Sequence, residues 1–116
     1  MREPGQVVLM SFPQVDLSPG KRRPVLLVAQ VPGPYEDWLV CMLSTNLQQA
    51  LPGFDEIVGS DANDFRKSGL RVPSAIRIAR LAVVSVDTLV GTIGEIDDVR
   101  LRRIQETLAD WIQGVA

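Results

Sequence analysis

Three short runs of aliphatic and aromatic residues open the chain, and each is bounded by proline, glycine or aspartate. The runs are residues 6–12 (QVVLMSF), 24–31 (PVLLVAQV) and 37–43 (DWLVCML). β-Branched and large apolar residues between turn-forming residues are typical of strands, so these runs predict an antiparallel meander. The polar segment 13–23 predicts an exposed loop that ends at Arg23. Pro24 would then be the first strand residue, where its missing N–H costs no interior ladder bond.

The pattern becomes polar in the middle of the chain. Residues 52–73 are mostly polar, with one short strand predicted at residues 55–59 (DEIVG). A segment of this length without regular structure is usually functional or disordered. Strand character returns at residues 74–86 (SAIRIARLAVVSV) and continues in residues 90–96 (VGTIGEI).

A single amphipathic helix is predicted at the carboxyl-terminal end. Its apolar positions recur at helical spacing, at Leu101, Ile104, Leu108, Trp111 and Ile112. Asp97 or Asp98 can cap the amino-terminal end, and Gly114 can end the helix. The apolar stripe predicts that Trp111 packs in the core rather than stacking on a ligand. The opposite, solvated face is predicted to carry Arg100, Arg102 and Arg103.

Length and composition fit one small domain. Of the 116 residues, 46% are hydrophobic, which is enough to bury an ordinary core, and we expect a single domain over residues 1–116. Short strands, a polar excursion and a terminal helix predict a mainly β fold, a small barrel rather than a doubly wound sheet. No apolar run approaches the roughly 18 residues of a membrane-spanning helix, and the start MREPGQ does not resemble a signal peptide. We therefore expect a soluble, cytoplasmic protein.

The chain has few of the side chains that most often act as nucleophiles, bases or metal ligands. The chain contains one cysteine and no histidine. Cys41 cannot form an internal disulfide, and inside an apolar run it is predicted to be a small buried hydrophobe. The lack of histidine excludes histidine triads and zinc sites with histidine ligands. We expect no metal and no cofactor.

Positive charge is concentrated in two places although the net charge is −2. Eight of the twelve bases lie in residues 21–23 and 66–80, whereas residues 36–64 carry six acids and no base. The two basic segments can converge in space into one cationic site, or they can be two ordinary solvated runs. Charge alone leaves both interpretations open.

The order of these segments resembles a known family. Residues 5–12 (GQVVLMSF), 20–30 (GKRRPVLLVAQ), 39–46 (LVCMLSTN), 69–81 (GLRVPSAIRIARL) and 93–108 (IGEIDDVRLRRIQETL) look like the MazF/PemK (Kid) family of bacterial toxin-antitoxin systems. The resemblance implies an SH3-like β-barrel with a terminal helix and a homodimer. It also implies metal-independent cleavage of single-stranded RNA, and neutralisation by an antitoxin whose carboxyl-terminal segment lies over the active groove.

The resemblance also implies site residues. The family's active-site arginine before the proline corresponds to Arg23, and its catalytic threonine corresponds to Ser44. Arg77 corresponds to a strand arginine that some family members use near the site, and Thr45 and Asn46 follow Ser44 directly. Lys21 and Arg22, on the same loop as Arg23, either hold flanking phosphates or are ordinary solvated loop charges. We expect these five residues to bind substrate. Some family members follow the strand arginine two residues later with an acid, whereas this chain has Ala79. That departure argues against a carboxylate-assisted mechanism.

The chemistry of these two residue types suits RNA cleavage without histidine. RNA carries its own nucleophile, the 2′-hydroxyl, so the protein must loosen that proton, stabilise the anionic phosphorane and assist the departing 5′-oxygen. Arg23 offers a rigid fork of donors that matches phosphate oxygens, and we assign it to phosphorane stabilisation and leaving-group assistance. Ser44 offers a hydroxyl that can donate to phosphate or relay a proton.

Two other functions fit a barrel of this kind. One is a toxin that binds its target, like the gyrase poison CcdB, which uses carboxyl-terminal residues that include a tryptophan. Trp111 is near the end of this chain, but its predicted place on the apolar helix face makes that match weak. The other is a barrel without catalysis that serves as a partner-binding module, which the alanine at position 79 and the acidic total favour.

Overall fold

The computed structural model describes residues 2–12 and 21–115, and residues 13–20 of the predicted first loop lie outside this range. The strands are β1 (Gln6–Phe12), β2 (Lys21–Gln30), β3 (Asp37–Ser44), β4 (Glu56–Val58), β5 (Ser74–Ser85) and β6 (Leu89–Glu95). The helices are α1 (Phe65–Ser68) and α2 (Asp98–Gln113), with single 3-10 turns at Leu47–Gln49 and Val86–Thr88. The strands form one antiparallel sheet in the order β4-β5-β3-β2-β1-β6. The predicted fold, a mainly β, SH3-like barrel with a carboxyl-terminal helix, is confirmed. Within the described residues, the two edge strands β4 and β6 do not pair with each other, so the sheet is not closed.

Both faces of the central strands are buried, which explains their nearly continuous apolar sequences. Alternate residues of β2 contribute to two cores, Leu26 and Val28 to one and Val25 and Leu27 to the other. The first core also receives Ile104 and Leu108 of α2. Burying side chains of this size stabilises the fold by about 1.5–3 kcal/mol each before entropy is counted.

The strand β2 begins earlier than predicted. The segment 21–23 was expected to be the end of a loop, but β2 starts at Lys21, and Pro24 is its fourth residue, paired with Leu9 of β1. The pairing of β2 with β3 starts only at Val25. From Lys21 to Pro24, the edge of β2 that faces β3 therefore has no strand partner. Proline, which lacks an N–H, is tolerated at such an edge.

The helix α2 has the predicted ends, and its predicted apolar face is buried at Ile104 and Leu108 but not in the last turn, where Ile112 is 68% exposed. The Asp97 carboxylate accepts a hydrogen bond from the N–H of Val99 at 3.3 Å, and Gly114 ends the helix in the left-handed region with φ 73°. The prediction that Trp111 packs in the core is wrong, because Trp111 is 49% exposed. Its ring forms a T-shaped pair with Phe54, with the two ring centroids 6.3 Å apart. The last turn of the helix packs against a loop rather than against the sheet.

The prediction that Arg100, Arg102 and Arg103 form the solvated face of α2 is also wrong at one position. Arg102 is exposed, but the side chain of Arg100 is only 11% exposed. Arg100 forms ion pairs with Asp64 at 2.7 Å and with Glu56 at 2.8 Å, and Arg103 also pairs with Glu56, at 2.9 Å. Helical periodicity could not show this, because the two acids come from the polar segment that folds against the helix.

Candidate active site

An open cleft lies at the end of the sheet where β2 and β3 separate. Its volume is about 250 Å³. The described residues that line it are Lys21, Arg22, Arg23, Pro24, Leu43, Ser44, Thr45 and Ser74. The three cations are exposed and Ser44 is half-buried, so charged donors and a hydroxyl share one solvent-accessible surface.

Strand register explains why Arg23 and Ser44 line the same cleft. The last paired residues of β2 and β3 at this end are Val25 and Met42. Continuing the antiparallel register by two residues on each strand places Arg23 opposite Ser44, on the sheet face that Val25 and Met42 share. Residues that are distant along the chain thus line one cleft because the paired parts of β2 and β3 direct their unpaired ends to the same place.

The cleft gathers some of the residues that the resemblance implied and leaves others outside. Lys21, Arg22, Arg23, Ser44 and Thr45 line it, whereas Asn46 and Arg77 do not. The Asn46 side chain caps the following 3-10 turn instead, since its oxygen accepts a hydrogen bond from the N–H of Gln48 at 3.1 Å. Direct contact with substrate is therefore not supported by the position of Asn46 or of Arg77.

Arg77 is held behind the cleft by a carboxylate that sequence reasoning missed. Its Nε donates to Oδ2 of Asp55 at 3.2 Å, and the Asp55 side chain is only 2% exposed. The same carboxylate accepts hydrogen bonds from the N–H groups of Leu51 and Ile78, at 3.0 and 2.9 Å. Position 79, two residues after Arg77, is an alanine, so the acid expected there from the resemblance is absent. Asp55 supplies a carboxylate to Arg77 from another part of the chain.

Gln49 is the second residue that sequence reasoning missed. Its side-chain oxygen accepts hydrogen bonds from the hydroxyl of Ser44 at 2.9 Å and from Nη1 of Arg77 at 3.3 Å. The Ser44 oxygen in turn accepts the N–H of Asn46 at 3.1 Å. The signal available in the sequence was Asn46, because an asparagine at a helix cap predicts a turn that brings the next residues back toward the strand end.

The second basic segment does not join the cleft. Among the described lining residues, the cations come from residues 21–23 and none comes from residues 66–80. Arg77 is paired with Asp55, and Lys67 lies 3.5 Å from the carboxylate of Asp97. The interpretation that the two basic segments converge into one cationic site is therefore wrong for this cleft.

Two other kinds of reactive site are conceivable in the described part of the chain, a metal site and the single thiol. Residues 2–12 and 21–115 contain no cluster of three or more potential metal-ligating side chains. Cys41 is fully buried, as predicted, and burial, with a smaller contribution from the charge of Asp55, raises its pKa to about 12. A thiol in that state is not a nucleophile at neutral pH. Over the same residues, no helix is both long and apolar enough to cross a membrane.

Comparison with known proteins gives one family and one fold. A family model described as "PemK-like, MazF-like toxin of type II toxin-antitoxin system" matches residues 3–112. Among solved structures, the Mycobacterium tuberculosis toxin MazF-mt6 is similar, with a TM-score of 0.64 over 96% of this chain and 98% of that chain. The two sequences are 16% identical, so this likeness speaks for the fold alone. No curated protein matches the sequence.

Proposed function

Since this chain belongs to the family of PemK-like, MazF-like toxins of type II toxin-antitoxin systems, we propose that it is an endoribonuclease that cleaves single-stranded RNA. The observation that carries the proposal is the cleft in which the cations of β2 meet the hydroxyl groups at the end of β3. Phosphodiester cleavage needs this combination, because negative charge grows on the phosphate while protons leave and join oxygen atoms.

In the proposed reaction the RNA supplies its own nucleophile. The 2′-oxygen of one ribose forms a bond to phosphorus, and the bond from phosphorus to the 5′-oxygen of the next nucleotide breaks. The proton lost by the 2′-hydroxyl is balanced by the proton that the departing 5′-oxygen gains. The products are a 2′,3′-cyclic phosphate and a 5′-hydroxyl, and the reaction requires no metal.

We assign Arg23 to stabilising the pentacoordinate phosphate and assisting the departing 5′-oxygen. Its guanidinium is a planar fork of donors that matches two phosphate oxygens, and it is exposed on the cleft. One well-aimed donor of this kind contributes about 3–4 kcal/mol to transition-state stabilisation. Lys21 and Arg22 hold the flanking phosphates, and Ser44 supplies the hydroxyl closest to the reacting ribose, with Thr45 beside it.

The same cleft suits the regulation expected of a toxin. A cationic groove on an otherwise acidic protein attracts an acidic peptide segment as well as RNA. We propose that a cognate antitoxin places such a segment over the groove, and that the functional form is a homodimer in the cytoplasm. Light scattering on purified protein measures the oligomeric state, and an acidic antitoxin segment should compete with RNA for the cleft.

The test is RNA cleavage by purified, antitoxin-free protein in EDTA, with 5′ ends mapped and end groups identified. We expect the wild type to leave cyclic phosphates and 5′-hydroxyls, and Arg23→Ala to lose at least about 100-fold in rate while keeping its circular dichroism spectrum. Arg102→Ala is the matched control, because it removes the same charge from an exposed position on α2. Intact RNA after prolonged incubation with folded wild-type protein would contradict the proposal.

A binding toxin is the second candidate, because one observation favours it. Trp111 is 49% exposed near the end of the described chain, so it is accessible to a partner. Removal of residues 111–116 separates the two functions. Loss of toxicity with unchanged RNA cleavage, together with gyrase trapping in a supercoiling assay, would support binding over catalysis. Binding of RNA without cleavage would instead indicate a barrel that has lost its catalytic function.

A further inference from the structure

The hydroxyl of Ser44 is held by a chain of three polar side chains that runs back from the cleft. The oxygen of Gln49 accepts from Ser44 at 2.9 Å and from Nη1 of Arg77 at 3.3 Å. Arg77 is anchored through its Nε to the carboxylate of Asp55, whose side chain is 2% exposed. An exposed glutamine side chain is thus tied, through Arg77, to a buried carboxylate.

The chemistry of arginine determines the direction of each hydrogen bond in this chain. A guanidinium only donates, so the atom of Gln49 that faces Arg77 must be the amide oxygen. That oxygen only accepts, so Ser44 must donate its single proton to it. The orientation of the amide, which is often ambiguous, is settled here by the arginine.

With its proton engaged, Ser44 can offer the cleft only a lone pair. One of the two lone pairs of Oγ accepts the N–H of Asn46 at 3.1 Å. The other remains an acceptor, and Ser44 lines the cleft. A phosphate oxygen is itself an acceptor and would be repelled at this position, whereas a hydroxyl that donates would be bound. Donors for the phosphate are already present on Lys21, Arg22 and Arg23.

We propose that Gln49 is a positioning residue, anchored by Arg77, that makes Ser44 accept a hydrogen bond from the 2′-hydroxyl of the substrate. This inference rests on the proposed function. A 2′-hydroxyl that points its proton toward Ser44 turns an oxygen lone pair toward phosphorus, which is the orientation needed for attack. Ser44 therefore binds the ribose, and the cations of β2 bind the phosphate.

The experiment is a double-mutant cycle on an oligoribonucleotide that spans a cut mapped in a longer transcript. The variants are Gln49→Leu, Ser44→Ala and the pair together, with Gln49→Glu as the conservative replacement that keeps an acceptor oxygen. Gln48→Leu is the matched control, because Gln48 is the adjacent exposed glutamine and its side chain forms no hydrogen bond in the described part of the chain. Asp55 is not varied, since its carboxylate also holds backbone N–H groups.

We expect Gln49→Leu to lower kcat by about 10- to 100-fold with little change in KM, because Gln49 does not touch the phosphates. In the Ser44→Ala background the same change should have almost no further effect, and Gln49→Glu should restore kcat to within about threefold of the wild type. Gln48→Leu should cleave like the wild type. All variants should keep the wild-type unfolding midpoint.

Failure of this inference differs from failure of the proposed function. Wild-type cleavage with additive effects of Gln49→Leu and Ser44→Ala, or with no effect of Gln49→Leu, would overturn the positioning role and leave the ribonuclease assignment intact. A rise in KM with unchanged kcat would show that Gln49 contacts substrate instead. No cleavage by the folded wild type would overturn the proposed function, and the positioning role with it.

Discussion

The carboxylate of Asp64 receives two hydrogen bonds from the guanidinium of Arg100, from Nε to Oδ2 at 2.7 Å and from Nη2 to Oδ1 at 3.1 Å. Asp64 is fully buried, and its Oδ2 also accepts the N–H of Asp97 at 3.1 Å. This bidentate pair joins the segment before α1 to the first turn of α2. Nη1 of Arg100 adds a bond to Glu56 of β4 at 2.8 Å.

Removing one partner of this pair should destabilise the protein strongly. Arg100→Ala leaves the carboxylate of Asp64 buried without its cation, a change that typically costs about 3–5 kcal/mol. Urea unfolding followed by circular dichroism measures the loss. Arg102→Ala is the control on the same helix and should stay within about 0.5 kcal/mol of the wild type, because Arg102 is exposed. Equal stability of the two variants would show that the pair is not a structural anchor.

The same pair predicts a dependence of stability on pH. Burial alone would raise the pKa of Asp64, but hydrogen bonds from Arg100 and from the N–H of Asp97 outweigh it and hold the pKa below its ordinary value of 3.8. The ionised form is therefore favoured by folding. Its contribution is present above the unfolded pKa and is lost as the pH falls through the lower folded pKa.

We expect the difference in free energy of unfolding between wild type and Asp64→Asn to be constant above about pH 5 and to shrink below about pH 4. Urea titrations across this range measure it. A difference that grew as the pH fell would contradict the direction of the pKa shift.

Two glycines allow the end of α1 to approach β6 closely. A Cβ at Gly94 would lie 2.2 Å from the carbonyl oxygen of Lys67, and a Cβ at Gly69 would lie 2.1 Å from that of Ile93. Both contacts are with backbone, which cannot rotate away. Gly94→Ala should therefore destabilise the protein by about 1–3 kcal/mol or more.

The control for this substitution lies in the same strand. Gly91 of β6 has no atom within 4 Å of the position that a Cβ would take. Gly91→Ala should leave the thermal midpoint close to the wild-type value, whereas Gly94→Ala should lower it by several degrees. Similar midpoints for the two variants would mean that α1 moves away from β6 at little cost.

RNA binding by the cleft should depend on salt. For single-stranded nucleic acid, the logarithm of the binding constant falls with the logarithm of salt concentration, with a slope of about −0.7 for each phosphate that is neutralised. Lys21→Ala removes one exposed cation of the cleft, so the slope should become less steep by about 0.7. Fluorescence anisotropy at several salt concentrations measures this. Arg102→Ala should leave the slope unchanged, and a flat salt response of the wild type would contradict the cationic groove.

Much of the candidate site could be predicted from sequence because a resemblance pointed to Arg23 and Ser44. The polar residues that support Ser44 could not be predicted in this way. Arg77 meets Asp55 because β4 pairs with β5, and continuing that register by one residue places Asp55 opposite Arg77. Sequence spacing directed attention to Ala79, two residues after the arginine, and so away from the carboxylate that is present.

The sequence by itself determined most of the local elements and the two ends of α2, although not the start of β2. Strand patterning located the central strands, and Asp97 and Gly114 marked the ends of α2, because propensity, alternation and capping depend on neighbours in the chain. The tertiary structure alone decided which charges are buried and paired and whether an apolar side chain such as Trp111 is covered. Those outcomes depend on which segments meet in space, and a pattern along one segment holds no information about its partner.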